Sequence, residues 1–277
     1  MKRFVFGVGA QKAGTTWLHY YLSRQSFSDF GFRKEYHVFD AAQTPRMGFA
    51  GRARKRTIAQ LQKATGDREE AFAVWRMNFI LNPESYFDYF NSRFLRDDVR
   101  LTGDITPSYA MLEQEVFQTI DTEFAHRGVR VFPIFLMRDP VYRLQSMVRM
   151  SLRDRDAPAT KAQEITRMER FLGRVGAVKR GQYPETIENL HAVFGRERVY
   201  LGLYETLFTD AAARAMSDFL GLDLGPPPVT EKKNVSKTDN ALTEDEYRHF
   251  RQKLGPVYDG VADLTDLDID KHWQFRP

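Results

Sequence analysis

The sequence predicts an α/β fold, a P-loop-like parallel β-sheet flanked by helices on both faces. Three observations carry that expectation. Apolar-rich runs at Phe4–Val8, Arg130–Met137 and Arg198–Leu203 alternate with helical segments, the pattern of a parallel sheet covered on both sides. The first run enters "GVGAQKAGTTWL" (7–18) and then a helix, the strand–loop–helix order of a phosphate-binding turn. The chain has 277 residues, of which 42% are hydrophobic and 28% charged, enough for a sizeable core in a globular protein.

Each element has its own signal. Phe4–Val8 is uniformly apolar, as in a strand buried on both faces. Thr15–Arg24 carries Trp17, Leu18, Tyr21 and Leu22 at helical spacing. Weaker strand signals lie at Tyr36–Phe39 and Leu101–Gly103. Asn82-Pro83 reads as a cap with proline opening the helix "ESYFDYF", and Asp139-Pro140 does the same for "VYRLQSMVRMSL". Helices follow over Ala162–Val175, Tyr183–Phe194 and Asp210–Leu220, the last stopped by Gly221. Thr243 and Glu246 have capping-box spacing. The stretch 221–240, rich in Pro, Gly and Lys, reads as a surface loop within one domain of residues 1–277.

Composition narrows the function. A net charge of +4 suits an anionic ligand without pointing to nucleic acid. With no cysteine, disulfide scaffolds, thiolate zinc sites and cysteine nucleophiles are excluded, and a cytoplasmic location is expected. Gly7 and Gly9 break the apolar start, so it reads as a buried strand and not a secretory leader. No apolar run is long enough for a membrane span.

The glycine loop is unusual. Gly9 and Gly14 match the spacing of G-x-x-x-x-G-K-[ST], but Thr15 stands where the lysine belongs, and the loop's lysine is Lys12. Backbone N–H groups before a helix make an anion cradle. Gly14 permits close approach, Thr15 and Thr16 offer hydroxyls, and Lys12 adds a full charge. A triphosphate reading also needs an acid for magnesium. Asp139 is the candidate, yet its place before Pro140 favours helix capping. Glu35 and His37, two residues apart, share one face if 36–39 is extended, and either is fit to accept a proton. Two further stretches have two readings each. "RMGFAGRARKR" (46–56) either meets an anionic acceptor or is a solvated face. The aromatics of 74–90 either stack on an acceptor or fill the core.

"QKAGTTWL" resembles the 5′-phosphosulfate loop of sulfotransferases that use 3′-phosphoadenylyl sulfate (PAPS), where the lysine stands before Gly-Thr-Thr. "LMRDPVYRLQSMVRM" is similar to their 3′-phosphate segment, with Arg138 at the strand end and Ser146 on the helix. "KEYHVFD" (34–40) and "GDITPSY" (103–109) resemble segments of the carbohydrate, heparan-sulfate-like branch. "GQYPETIENLHAVFGRERVYLGLYETL" with "FLGLD" is similar to a later helix–strand unit. "KKNVSK" (232–237) falls where a basic loop covers the nucleotide. The likeness runs from about residue 4 to about residue 240 and points to the carbohydrate and bacterial branches.

The resemblance implies PAPS as cofactor and 3′,5′-adenosine bisphosphate as product, with no metal required. Lys12 would act at the leaving phosphate, and Ala13, Gly14, Thr15, Thr16 and Trp17 would complete its loop. Arg138 and Ser146 would bind the 3′-phosphate, with Lys232, Asn234 and Lys237 in a basic loop closing over the nucleotide. Glu35 would be the base and His37 its assistant, with His37 as rival base by analogy to the small-molecule branch. The implied acceptor is a carbohydrate, a glycolipid-like molecule or another small hydroxyl compound, less readily an amine. No nucleic-acid partner is implied. One departure stands out: the lysine of the family's Gly-Glu-Lys-Thr-Pro is Ile105 here. The alternatives are a P-loop kinase or NTPase with an atypical loop, or a binding module that keeps the fold without chemistry.

Overall fold

A computed structural model of the chain describes residues 1–42, 59, 66–153, 158–174, 178–228 and 240–276. The basic stretch 46–56 and the expected cofactor residues Lys232, Asn234 and Lys237 lie outside these residues.

Among the described residues four strands form one sheet in the order β2-β1-β3-β4: β1 Lys2–Gly9, β2 Leu101–Ile105, β3 Val129–Met137 and β4 Tyr200–Leu203. β1 pairs in parallel with β2 (Phe4↔Thr102, Gly7↔Ile105) and with β3 (Phe4↔Val131, Gly7↔Ile134). As an inner strand β1 has neighbours on both edges, and from Arg3 onward every residue is buried. This is why its sequence runs apolar without alternation. The register shifts between Gly7 and Gly9, where the strand gives way to the loop. Helix α1, Thr15–Ser23, follows directly. Among the described residues no helix is long and apolar enough to cross a membrane.

Cα proximity divides the chain into two compact units. The first holds 1–9, 16–135 and 189–200. Its core is aromatic. Phe4 stacks on Phe124 (centroids 4.1 Å apart) and meets Phe90 edge-on at 4.9 Å, with Tyr86 against Phe90 at 4.9 Å. Phe79, Tyr86, Phe87 and Phe90 come from helices α3 (Asp67–Leu81) and α4 (Glu84–Arg93) and are almost wholly buried. The aromatics of 74–90 are therefore mainly core, although Trp75 keeps 44% of its surface exposed.

The second unit holds 10–15, 136–188 and 201–277. Helix α5 spans Gln114–His126 in the first unit, and α6, Pro140–Ser151, opens the helical part of the second. Val141, Leu144 and Val148 of α6 pack with Met168 of α7 (Lys161–Leu172) and Phe250 of α8 (Glu244–Lys253). Thr243 and Glu246 close the expected capping box in both directions, at 3.2 Å and 2.7 Å. The helices Tyr183–Phe194 and Asp210–Leu220 have the expected bounds, and Gly221 stops the latter at φ 59°.

Three local expectations are corrected. Residues 36–39 form no strand. His37 turns into the left-handed region at φ 54° and a short helix, α2 (Phe39–Ala42), begins at once. The 198–203 strand is shorter, because Arg196–Arg198 is a 3-10 turn and β4 starts at Tyr200. At the α4 start the cap is Pro83 and no side chain caps the helix.

Candidate active site

The glycine loop is held from both ends. The Ala10 amide donates to Leu136 O at 2.6 Å and the Ala13 amide to Ala10 O at 3.2 Å, closing a turn. Lys12 sits at φ 73° and Gly14 at φ 91°. A left-handed lysine is a strained choice for a non-glycine residue, and such outliers concentrate at functional sites. At Gly14 a side chain is excluded by space as well: a Cβ would lie 2.6 Å from Leu207 Cδ2 and 3.2 Å from Tyr204. Ala13 and Thr15 are buried, Thr16 is exposed, and Trp17 is half-buried against Tyr21. The first turn of α1 carries no acid, so its own side chains leave the positive helix end unopposed.

Arg138 directly follows β3 and lies in the same unit as Lys12. Its guanidinium lies 4.6 Å from the Tyr204 ring centroid and points Nη1 at the Lys12 carbonyl, 3.5 Å away. Its backbone is clasped by Tyr183, whose hydroxyl accepts from the Arg138 amide at 3.4 Å and donates to its carbonyl at 2.9 Å. Asp139 does what its place before Pro140 predicts. Oδ1 accepts from the amides of Val141 and Tyr142 (2.9 and 3.2 Å) and from Tyr258 OH (3.0 Å), and Oδ2 accepts from Tyr247 OH (2.7 Å). A carboxylate engaged by four internal donors is a cap and an anchor for the C-terminal helices, not a ready magnesium ligand. Ser146 follows half-buried on α6.

The first unit carries a separate acid–base cluster. Lys34 Nζ donates to Glu35 Oε1 at 2.6 Å. His37 faces two carboxylates, Glu35 Oε2 3.2 Å from Nε2 and Asp40 Oδ2 2.8 Å from Nδ1. Ser108 Oγ donates to the same Asp40 oxygen at 2.6 Å. A histidine with an acceptor at each nitrogen donates from both and is an imidazolium. Burial opposes that charge, but the hydrogen bonds and charges of Asp40 and Glu35 outweigh it and raise His37 to about 9. Burial likewise opposes ionised Glu35, yet the His37 hydrogen bond and the Lys34 charge hold it down to about 2.

The backbone of this cluster hangs on the segment that resembles Gly-Glu-Lys-Thr-Pro. The Tyr36 amide donates to Thr106 Oγ1 (3.0 Å) and Asp104 Oδ1 (3.3 Å), the Val38 amide to Tyr109 OH (3.1 Å), and the Ile105 amide to Lys34 O (3.1 Å). Arg76 Nη2 holds the His37 carbonyl at 3.2 Å. Asp104 is fully buried and takes further bonds from Thr106 Oγ1 (2.6 Å), Tyr86 OH (3.0 Å) and Tyr109 OH (2.8 Å). Burial pushes its pKa up to about 6 despite those bonds.

The protein aligns over 98% of its length, and over 98% of the other chain, with a sulfotransferase from Alicyclobacillus acidocaldarius, at TM-score 0.61 and 18% identity. The fold is that of a sulfotransferase. Sulfotransferase STF9 from Mycobacterium avium aligns over 96% of this chain and 78% of its own at 14% identity and TM-score 0.49. The sulfotransferase domain of the Synechococcus PCC 7002 olefin synthase covers 86% and 80% at 17% identity and TM-score 0.46. No protein-family model matches the chain, and no curated protein does.

Within this sulfotransferase fold the expected residues fall into groups. Lys12, Ala13, Gly14 and Thr15 gather with Arg138 in the second unit, and Glu35 with His37 in the first. Asp40, Ser108, Arg76 and Asp104 were not singled out from the sequence. Asp40 alone had a signal there, an acid three residues after His37. Ile105, at the lysine's place, is fully buried over Gly7, where a Cβ would lie 2.7 Å from Ile105 Cγ2. The position is an apolar packing point, unsuited to a charged amine.

Proposed function

We propose that this chain is a PAPS-dependent sulfotransferase that moves a sulfuryl group to a hydroxyl acceptor, a carbohydrate or glycolipid-like molecule. The observation that carries the reading is the approach of Arg138 Nη1 to the Lys12 carbonyl. It ties the lysine-bearing loop to the arginine expected for the 3′-phosphate, a group ATP lacks. A triphosphate loop would need its lysine after Gly14 and a free acid for magnesium, whereas Thr15 stands there and Asp139 is consumed as a cap.

PAPS supplies the sulfuryl group: the acceptor oxygen forms a bond to sulfur as the bond from sulfur to the phosphate oxygen breaks. Lys12 balances the charge that grows on that leaving oxygen, an interaction stronger in the transition state than in the ground state. Gly14 N–H and the hydroxyls of Thr15 and Thr16 hold the phosphate. Arg138 and Ser146 hold the 3′-phosphate through charge-assisted bonds. Glu35 accepts the acceptor's proton. His37, already protonated, orients Glu35 and is unsuited to be the base. That arrangement favours a carbohydrate-type site over the small-molecule type with a histidine base.

Transfer from labelled PAPS to sugars, glycolipids, phenols and amines tests the reading. Sulfated sugar or glycolipid supports it. Magnesium-dependent phosphoryl transfer from ATP, without consumption of PAPS, would overturn it.

A further inference from the structure

Arg143 on α6 is 3% exposed, and among the described residues its Nε and Nη1 have no hydrogen-bond partner. Tyr183 is its electrostatic neighbour, and no acid described in the structure acts on it. Asp139, one turn earlier, accepts the Arg143 amide on its main-chain carbonyl at 2.8 Å, while its carboxylate is committed to four other donors. Burial lowers the Arg143 pKa, with the neighbouring Tyr183 acting in the other direction. An uncompensated buried cation is costly to a fold.

The surroundings of Arg143 lead to the phosphate-binding residues. Tyr183, its electrostatic neighbour, clasps the backbone of Arg138. Ser146 lies three residues further along α6, on the same flank of the helix. Gly181 leaves the guanidinium its space, since a Cβ there would sit 2.3 Å from Nη2 and 3.0 Å from Cζ.

We propose that Arg143 is a second cationic residue of the phosphomonoester subsite formed with Arg138 and Ser146, and that the bound phosphate supplies the counter-charge the protein withholds. The inference deepens the function proposed above and takes the phosphomonoester to be the 3′-phosphate of PAPS. The subsite then carries two arginines, one stacked on an aromatic ring and one buried, which favours a dianion over a neutral ribose hydroxyl.

The test uses the full chain with Arg143→Met and Arg143→Lys. Binding of 3′,5′-adenosine bisphosphate and of 5′-AMP is measured by calorimetry, and Tm is measured without ligand and with inorganic phosphate. In Arg143→Met, affinity for the bisphosphate is expected to fall about 100-fold, that for 5′-AMP less than about twofold, and ligand-free Tm to hold or rise. Arg143→Lys should recover part of the lost affinity. An unchanged preference for the bisphosphate overturns the proposal. So does a fall in ligand-free Tm with equal loss of both nucleotides, the result of a purely structural arginine. If Arg143→Met does not fold, Arg143→Lys decides: an undiminished preference for the bisphosphate in that variant also ends the idea. If the wild type binds no bisphosphate, the functional reading fails. The subsite then stands or falls on whether inorganic phosphate raises Tm in the wild type and not in Arg143→Met.

Discussion

His37 Nδ1 lies 2.8 Å from Asp40 Oδ2 while its Nε2 faces Glu35 Oε2 at 3.2 Å, so one imidazole bridges two carboxylates. This bridge sets the charge state of the acid–base cluster and gives it a pH signature. His37 is raised from 6.5 to about 9. Its contribution to stability is therefore complete below about 6.5 and lost as pH rises through about 9. Glu35 is lowered from 4.5 to about 2, so its contribution is present above about 4.5 and lost as pH falls through about 2. Tm measured against pH should fall on the alkaline side with a midpoint near 9, and His37→Gln should abolish that limb. An NMR titration giving His37 an ordinary pKa near 6.5 would refute the bridge.

Glu35 and His37 separate by mutation. Glu35→Gln should lower kcat by about 100-fold or more while affinity for 3′,5′-adenosine bisphosphate holds, because the proton acceptor is gone and the nucleotide residues are intact. His37→Ala should cost less and flatten the pH–rate profile. If His37→Ala carries the larger loss, the base assignment moves to histidine.

Lys12→Ala should lower kcat by about 100-fold or more, with a smaller effect on KM for PAPS, since charge on the leaving oxygen is greatest in the transition state. Steady-state kinetics at saturating acceptor read this directly. An undiminished kcat removes Lys12 from the chemistry.

Arg138→Ala should erase the preference for 3′,5′-adenosine bisphosphate over 5′-AMP and also loosen the loop, because the same guanidinium approaches the Lys12 carbonyl. Calorimetry with both nucleotides measures the first effect, and amide exchange at Ala13 and Gly14 the second. Retained discrimination would place the 3′-phosphate elsewhere.

Asp104→Asn should destabilise the protein by about 2–4 kcal/mol in denaturant unfolding, because two oxygens now serve four donors and an amide can accept at only one of them. Asp104 is raised from 3.8 to about 6, so the folded state binds its proton more tightly and stability falls as pH rises through that window. The variant should lose this dependence. A neutral substitution would mean that the segment 34–38 is held by other means.

The local signals were legible because they rest on neighbours in the chain. The capping pair Thr243–Glu246, the Asp139-Pro140 start and the Gly221 stop each depend on residues within one turn, and the structure places all three as expected. The signal at 36–39 misled because a run such as Tyr36-His37-Val38-Phe39 fits a strand unless something distant bends it. The bonds from the Tyr36 and Val38 amides to Thr106 and Tyr109, and from Arg76 to the His37 carbonyl, hold the left-handed turn at His37.

By itself the sequence determined the α/β order, the strand–loop–helix turn with Lys12 inside it, and the residue types available for phosphate and proton chemistry. Periodicity, capping and glycine spacing are short-range constraints written in adjacent residues. Only the tertiary structure decided that His37 is an imidazolium between two acids, that Asp139 is spent as an anchor, that Ile105 is packing over Gly7, and that Arg143 is buried without an acid. Charge state and burial depend on partners brought together from far along the chain, and no local pattern encodes them.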